Sequence, residues 1–527
     1  MPIFFIIFLG LSFLFSGCPS EERKADLVFI NGVEPESLDP AVATAQADGR
    51  LLSELFEGLL RFNAQGQLVP GVASSWSISP DGRTYTFYLR PQARWSDGKV
   101  VRATDFLQSW RRILLPTEAA PYVNQFFVID GAEDFSLGKI DFSHVGIKAI
   151  NDQTFEVTLR NPTPYFLYLC ALWTFAPVRN DLIERYGDEW MEPKKMISNG
   201  PYQLESWKLN DKITLKKNPF YWNAAHVALE KIDALPISNP LVAYNFYAIG
   251  KADLILGRPA AFLLDALKKS SDFHAAPYLG VFFIRFNCSR APFDNPHVRQ
   301  AFSMVIDRHL LVNKVTRAGE LPAENFIPPG ILGYQSAQGL PYDPQRARAL
   351  LAMAGYPDGK NFPLTNYLYS ESAMNEEIAL ELQAMWRKEL GVSILLERRD
   401  WKASLNLMNQ LDYGMAISNW VGDYDDPNTF LELFVTGGGN NRTGWSSQAY
   451  DRDLREATLA LRMPRRLALL HDAENLLVQK ELPIAPLFFN VSIALYRSDE
   501  LGGIEPNLLD RHPLSEIYRK KKRSAFP

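Results

Sequence analysis

Cysteine is scarce in this chain, with three in 527 residues, so a disulfide framework is excluded as the basis of the fold. Cys170 and Cys288 follow or interrupt the apolar stretches Tyr168 to Leu172 and Phe282 to Phe286, which predicts buried free thiols. Histidine is also sparse. The seven, at 144, 226, 274, 297, 309, 471 and 512, never fall in the His-Glu-x-x-His spacing that places two ring nitrogens on one helical face around zinc. A Gly-x-Ser-x-Gly elbow is missing too, so no local motif signals a zinc or serine hydrolase. A triad assembled from distant residues leaves no such trace, and an exported hydrolase stays open at this point. There is no basic excess, since the formal net charge is -5, and this argues against a nucleic-acid surface; the run Arg519 to Arg523 reads as a solvated tail. No stretch beyond the first 18 residues approaches the ~20 apolar residues of a membrane-spanning helix, and no fixed-period repeat occurs.

What is present is the composition of an ordinary globular protein, 47% hydrophobic and 22% charged, in a chain long enough for about three domains. Aromatics make up 12% of residues, with 11 tryptophans, which supplies flat amphipathic contact surface beyond core needs. Ile3 to Phe15 is almost wholly apolar and is followed by Ser16-Gly17-Cys18. That run has the length of a signal-peptide apolar region. It resembles a bacterial lipoprotein signal, with no Lys or Arg ahead of the run and Phe15 where leucine is usual. Residues 1–18 are then signal and lipobox, and lipid on Cys18 anchors an exported protein to the membrane of the cell envelope. A simple secretory signal is the alternative. Residues 19–26 read as a tether.

Along the mature chain, Leu27 to Ile30 predicts a strand and Leu51 to Leu60 a helix. Ser79-Pro80-Asp81-Gly82 joins two strands in a hairpin, and Asn151-Asp152 joins Val145–Ile150 to Phe155–Leu159. Thr104 reads as the cap of a helix through Trp110. From about 280 the texture changes. Helical patterns at 297–314, 344–354, 375–389, 450–461 and 465–480 alternate with strand patterns at 281–286, 364–369, 392–397 and 413–418. Such alternation predicts an α/β lobe with a mostly parallel sheet.

Within that lobe, Asp412 to Phe434 ends a strand in a turn with three carboxylates, Asp423, Asp425 and Asp426, before a helix. Pro427 suits a first helical position, which makes Asp426 the N-cap. Asp423 stands at the carboxyl end of the strand, where open α/β sheets present groups to ligands; the alternative is a solvated turn residue. Asp425 has no evident task.

Ten motifs, in order, cover nearly the whole mature chain: Ser37-Leu38-Asp39-Pro40, Leu55-Phe56-Glu57-Gly58-Leu59, Pro70-Gly71-Val72-Ala73, Trp95-Ser96-Asp97-Gly98, Asn199-Gly200-Pro201-Tyr202, Lys217-Asn218-Pro219-Phe220-Tyr221-Trp222, Pro292-Phe293-Asp294, Val298-Arg299-Gln300-Ala301, Ile306-Asp307-Arg308 and Gly422-Asp423-Tyr424-Asp425-Asp426-Pro427. Together they resemble the periplasmic oligopeptide-binding proteins of ABC importers. The resemblance implies an α/β, three-domain, two-lobed periplasmic binding fold with a hinge. The first domain would comprise 19–54, 178–279 and 491–527, the second 55–177 and the third 280–490. It further implies a monomer without cofactor or metal that is no enzyme, closes on an oligopeptide and hands it to permease subunits driven by an ATPase. A sensory or adhesive lipoprotein of the same fold is the rival, since fold does not fix function.

Peptides of many sequences share a backbone and a free amine. Strand edges can pair with the backbone, and the edges implied are Asn419 to Asp423, with Gly422 and Tyr424, and the loop Thr44 to Gln46. By resemblance Asp423 receives the ligand amine, and Trp420 and Trp401 wall side-chain pockets. At the carboxylate end the sequence departs from the family. The positions matched to basic residues carry Met408, Ile417, Asn375 and Thr316, none of them cationic. Arg285 and Arg317 are the candidates for a relocated anchor, and the expected ligand differs in length or termini from an ordinary free-carboxylate peptide.

Overall fold

The computed structural model describes residues 25–331 and 333–521; the signal segment, Cys18 and most of the tether lie outside them. Leu27–Ile30 is a strand buried along its whole length, as expected of an apolar run covered on both faces. It pairs in parallel with Lys231–Leu235 and Leu254–Leu256. The helix predicted over 51–60 instead spans Gln46–Leu55. It starts early because the Asp48 carboxylate accepts from the Ala45 N–H (3.2 Å). Beyond Leu55 the chain is extended, and a Cβ on Gly58 would lie 2.5 Å from the Cys170 carbonyl oxygen, so only glycine fits that approach.

One large sheet runs through the molecule in the order Leu395–Arg399, Asn366–Ser370, Met415–Val421, Phe273–Phe286, Ile484–Tyr496, Leu254–Leu256, Leu27–Ile30, Lys231–Leu235, Lys212–Lys217 and Tyr202–Lys208. The two long members, Phe273–Phe286 and Ile484–Tyr496, are antiparallel and belong to both halves. Their pairing is regular from Phe273 to Pro277, breaks register before Val281, and shifts once more between Phe282 and Phe283 before running on to Arg285. The expectation of a mostly parallel sheet after residue 280 is therefore corrected. Only Leu395–Arg399, Asn366–Ser370 and Met415–Val421 run parallel; the lobe is entered and left by the same pair of strands, which must oppose each other.

A separate four-stranded antiparallel sheet, Ala73–Ile78, Thr84–Leu89, Thr154–Thr158 and Ile147–Asn151, carries the helix Ala103–Leu114. Trp110 on this helix is fully buried edge-on to Phe126, Phe155 and Phe175. The helix opens before Thr104, because the Asp105 carboxylate accepts from the Arg102 N–H (2.8 Å). The pattern at 297–314 is likewise broken into Pro296–Met304 and a restart at Arg308, where the Asp307 carboxylate accepts from the Leu310 N–H.

Most of the sequence motifs meet as structural nodes. The Asn199 amide brackets Glu57, accepting from its N–H (3.1 Å) and donating to its carbonyl (2.9 Å). The Glu57 carboxylate in turn accepts from the Tyr221 hydroxyl and the Trp222 ring N–H. Arg299 is buried and donates to the Phe293 and Asp294 carbonyls. Arg308 is buried and donates to the Pro486 carbonyl. These residues satisfy backbone groups that burial would otherwise leave costly.

The two halves touch where Tyr424, at the end of the Met415–Val421 strand, stacks on Tyr165 with centroids 4.1 Å apart and rings 3° from parallel. Tyr424 is buried within the core of the opposite half. Such a pair contributes ~1 kcal/mol beyond its area. Tyr165→Ala is expected to raise the population of the open form about fivefold, read as a larger radius of gyration of the ligand-free protein in small-angle X-ray scattering.

Candidate ligand-binding cleft

The strand Met415–Val421 pairs with Phe273–Phe286 from Met415 to Val421, but on its other side only Met415 and Ala416 are paired. From Ser418 to Val421 one backbone edge is open, which is a template for an added strand. Asn419 is exposed on it, and its side-chain oxygen accepts from the Asn490 amide (3.1 Å). Trp420 has a buried ring N–H without a partner. Gly422 then passes so close to the core that a Cβ would meet Leu279 at 2.7 Å and Thr429 at 2.9 Å; its N–H donates to the Leu279 carbonyl (2.7 Å).

This tight turn aims Asp423. Its backbone N–H donates to the Thr429 hydroxyl (3.0 Å), while its carboxylate has no hydrogen bond or ion pair among the described residues. Burial pushes the carboxyl up to about 6, and the charge of Arg511 opposes that rise. The other two acids are placed differently. The Asp426 carboxylate accepts from the Asn428 N–H (2.9 Å), but the helix is Asn428–Leu431 with Pro427 in the cap position, so Asp426 stands one residue ahead of the cap it was expected to be. It also accepts from both terminal nitrogens of Arg466 (2.8 Å each) in a buried bidentate pair. Asp425 faces Tyr168 of the other half; burial and then the neighbouring Asp426 raise its carboxyl to about 6, with the Tyr168 hydrogen bond opposing.

Across the cleft, the loop Thr44 to Gln46 is exposed and braced from behind. The Tyr122 hydroxyl donates to the Thr44 carbonyl (3.3 Å) and the Trp173 ring N–H to the Ala43 carbonyl (3.3 Å). The Gln46 amide donates to the Tyr278 hydroxyl (3.1 Å) on the first crossing strand, next to the register break. Asp423 acts electrostatically on both Tyr122 and Arg511, so the cleft floor joins both halves. Arg511, Tyr122, Trp173 and Tyr278 were not singled out from sequence. The only local sign was the charged cluster Asp510-Arg511-His512 before Pro513.

Arg285 and Arg317 are not brought into this constellation. Arg285 is 3% exposed, donates to the Ser418 hydroxyl (2.8 Å) and the Asn440 carbonyl (3.0 Å), and lies over the Phe283 and Phe434 rings. It is a core arginine with Nε and one terminal nitrogen engaged, and burial lowers it to about 10. Arg317 pairs with Asp265 (3.3 Å) and donates to the Ala261 carbonyl (3.1 Å), tying residues on either side of the crossing strands. Met408, Ile417, Asn375 and Thr316 are all buried, so those positions offer no charge to a ligand. Trp401 opens the helix Trp401–Asn409 and is 61% exposed, so it is not a core aromatic. Cys170 and Cys288 are free; Cys170 is buried and Cys288 only partly so.

A cleft between two lobes joined by crossing strands, with a one-sided strand edge ending in an unpaired carboxylate, defines a hinged ligand-binding protein. The chain belongs to the bacterial extracellular solute-binding proteins, family 5, whose description reads "family 5 Middle" and matches residues 67–442. The periplasmic oligopeptide-binding protein OppA of Salmonella typhimurium is 34% identical over 508 residues, covering 94% of this chain and 92% of that protein. Among solved structures, a periplasmic oligopeptide-binding protein of Borrelia burgdorferi aligns with a TM-score of 0.82 at 35% identity, over 94% of this chain and 99% of its own. Haemophilus influenzae OppA in complex with the peptide RPPGFSPFR aligns with a TM-score of 0.79 at 30% identity, again over 94% and 99%.

The Asp426–Arg466 pair is expected to be structural. Arg466→Met leaves a carboxylate buried without its partner and should cost roughly 3–5 kcal/mol in urea denaturation, while adding Asp426→Asn should recover part of the loss.

Proposed function

We propose that this chain is an extracytoplasmic solute-binding protein that captures oligopeptides in a closing cleft, by backbone and amine contacts, and delivers them to an ABC permease and its ATPase. The observation that carries the reading is the Asp423 carboxylate, unpaired at the end of an open strand edge. An extended ligand adds to that edge through its N–H and C=O groups without a side-chain requirement. Its α-amine, cationic below a pKa of ~8, then meets Asp423 in a charge-assisted hydrogen bond. Partly buried Trp420 offers a side-chain surface on the edge itself, and exposed Trp401 is free to offer another. The relatives support the ligand class, since they are oligopeptide-binding proteins and one holds a peptide.

In this reading residues 19–54, 178–279 and 491–527 form the first domain, 55–177 the second and 280–490 the third, with Phe273–Phe286 and Ile484–Tyr496 as the hinge. The protein works as a monomer without cofactor or catalytic step, held to the membrane by lipid on Cys18.

Calorimetric titration of free and N-acetylated peptides against wild type and Asp423→Asn tests the anchor. Loss of the amine or of the carboxylate should each weaken binding by two to three decades, about 3–5 kcal/mol. Equal affinity in all four combinations would remove Asp423 from the site.

Acidity separates stability from binding. Because the folded Asp423 and Asp425 carboxyls are raised to about 6 above an ordinary 3.8, the unfolded chain gives up these protons more readily. Their contribution to ligand-free stability therefore falls as pH rises from about 4 through 6. The ligand amine needs the ionised form. Affinity for a free-amine peptide should thus drop as pH falls below about 6, approaching tenfold per unit, and Asp423→Asn should flatten the profile.

A further inference from the structure

An amine bound at Asp423 changes the electrostatics of Arg511, which faces it. The Arg511 guanidinium lies over the Trp173 and Phe62 rings, at 5.5 and 5.8 Å, and forms no ion pair among the described residues. Its Nε is buried without a hydrogen-bond partner. The backbone of Arg511 is held on both sides by Asn507, whose side-chain oxygen accepts from its N–H (2.9 Å) and whose amide donates to its carbonyl (2.8 Å). The carboxylate beside it, Asp510, is already engaged by the His512 ring (2.9 Å).

Arg50 stands next to it in the same cavity, with Gln46, Trp173 and Asp510. Two of its nitrogens donate to the Asn31 carbonyl (3.0 Å) and the Gln46 side-chain oxygen (3.2 Å), so it too has no ion pair within the wall. Burial lowers the affinity of both arginines for their protons, and the charge of Arg511 lowers that of Arg50 further. The groups acting on the pair are Asp510, Tyr278, Tyr122 and, across the cleft, Asp423. Glu54, Glu57 and Arg61 line the same cavity, Glu54 accepting from the Leu514 and Ser515 N–H groups and Glu57 from Tyr221 and Trp222.

In the ligand-free protein Asp423 offsets this wall from a distance. A ligand amine removes that offset, leaving a half-buried guanidinium whose Nε is cut off from water and which cannot shed its proton at neutral pH. An uncompensated buried charge is strongly unfavourable, so a ligand that brings its own anion is favoured over one that does not. The planar fork of arginine matches a carboxylate with two parallel hydrogen bonds.

We propose that Arg511, seconded by Arg50, binds a ligand carboxylate positioned close along the chain to the free amine that Asp423 receives. The inference rests on the peptide reading and deepens it. Because the two protein charges face each other across one cleft, and a residue spans at most ~3.6 Å, the carboxylate belongs within the first two or three residues. An aspartyl or glutamyl side chain near the amino end and the terminal carboxylate of a dipeptide both supply it. Such a ligand has no need of cations at Met408, Ile417, Asn375 or Thr316, where there are none.

The test is calorimetry on the full chain with four probes: Ala-Ala-Ala amide, Asp-Ala-Ala amide, Ala-Asp-Ala amide and free-acid Ala-Ala. At least one carboxylate-bearing probe should bind about ten- to a hundredfold more tightly than the neutral amide, and the arm that does so identifies the source. Arg511→Met should erase the difference, while Arg511→Lys, which keeps the charge and guards against misfolding, should retain part of it. Equal binding of all four probes, or a preference that survives in Arg511→Met, would overturn the proposal. Tighter binding of every free-amine probe by Arg511→Met would also overturn it, making the arginine only a resting counter-charge for Asp423. If the neutral amide binds well and depends on Asp423, the peptide reading stands without this inference; if no probe binds wild type, both fall.

Discussion

Two antiparallel strands, Phe273–Phe286 and Ile484–Tyr496, are the constraint from which the rest of the architecture follows. They are the shared middle of one sheet whose two wings, one parallel and one mixed, belong to different halves. Because a strand pair bends where its register breaks, the gap between Pro277 and Val281 is the natural place for the halves to move. Tyr278 sits in that gap and touches Gln46, while Gly280 opposes Val421 at the end of the open-edged strand. The hinge and the cleft floor are thus built from the same few residues. Closure moves Asp423 toward the Thr44 to Gln46 loop because both are tethered to this pair.

The charges in the cleft divide by whether the protein itself satisfies them. Asp426 has Arg466 and a backbone N–H, so its burial is compensated and serves the scaffold. The side chains of Asp423 and Arg511 have no such partners among the described residues. A protein that keeps two opposite, incompletely paired charges at a drying interface retains a site whose desolvation cost only a ligand can offset. The unpaired Trp420 ring N–H on the same edge belongs to the same pattern.

Local pattern made much of the fold legible. The apolar run Leu27 to Ile30 and the helices near 344–354, 375–389 and 450–461 fall where spacing places them, since period and caps are written within each segment. Pairing is not so written. The first half of the long strand, Phe273-His274-Ala275-Ala276-Pro277, lacks an alternating pattern because its neighbours, rather than its own side chains, hold it in the sheet. The sheet's mixed direction therefore escaped the sequence. The turn that carries Asp423 was legible because glycine and proline punctuate it, while the assignment of Asp423 to a ligand amine came from resemblance. Arg511 was not, being 88 positions away, and neither was the Asp426–Arg466 pair, formed across 40. Arg285 looked like a candidate for its charge alone, and its burial among Phe283 and Phe434 could be seen only once the strand had a face.

Nine of the ten motifs that mark the family lie outside the Gly422 to Pro427 turn, and several of them are nodes such as Glu57 with Asn199, Tyr221 and Trp222. Family membership is thus largely a statement about scaffold, and the proposed ligand contacts of Asp423 and Arg511 are a separate matter. The most direct test of the central claim is mass spectrometry of the ligands that copurify with the wild-type protein under native conditions. Peptides with a free α-amine are expected in the closed cleft; spectra containing only sugars or metals, with no peptide, would contradict the account.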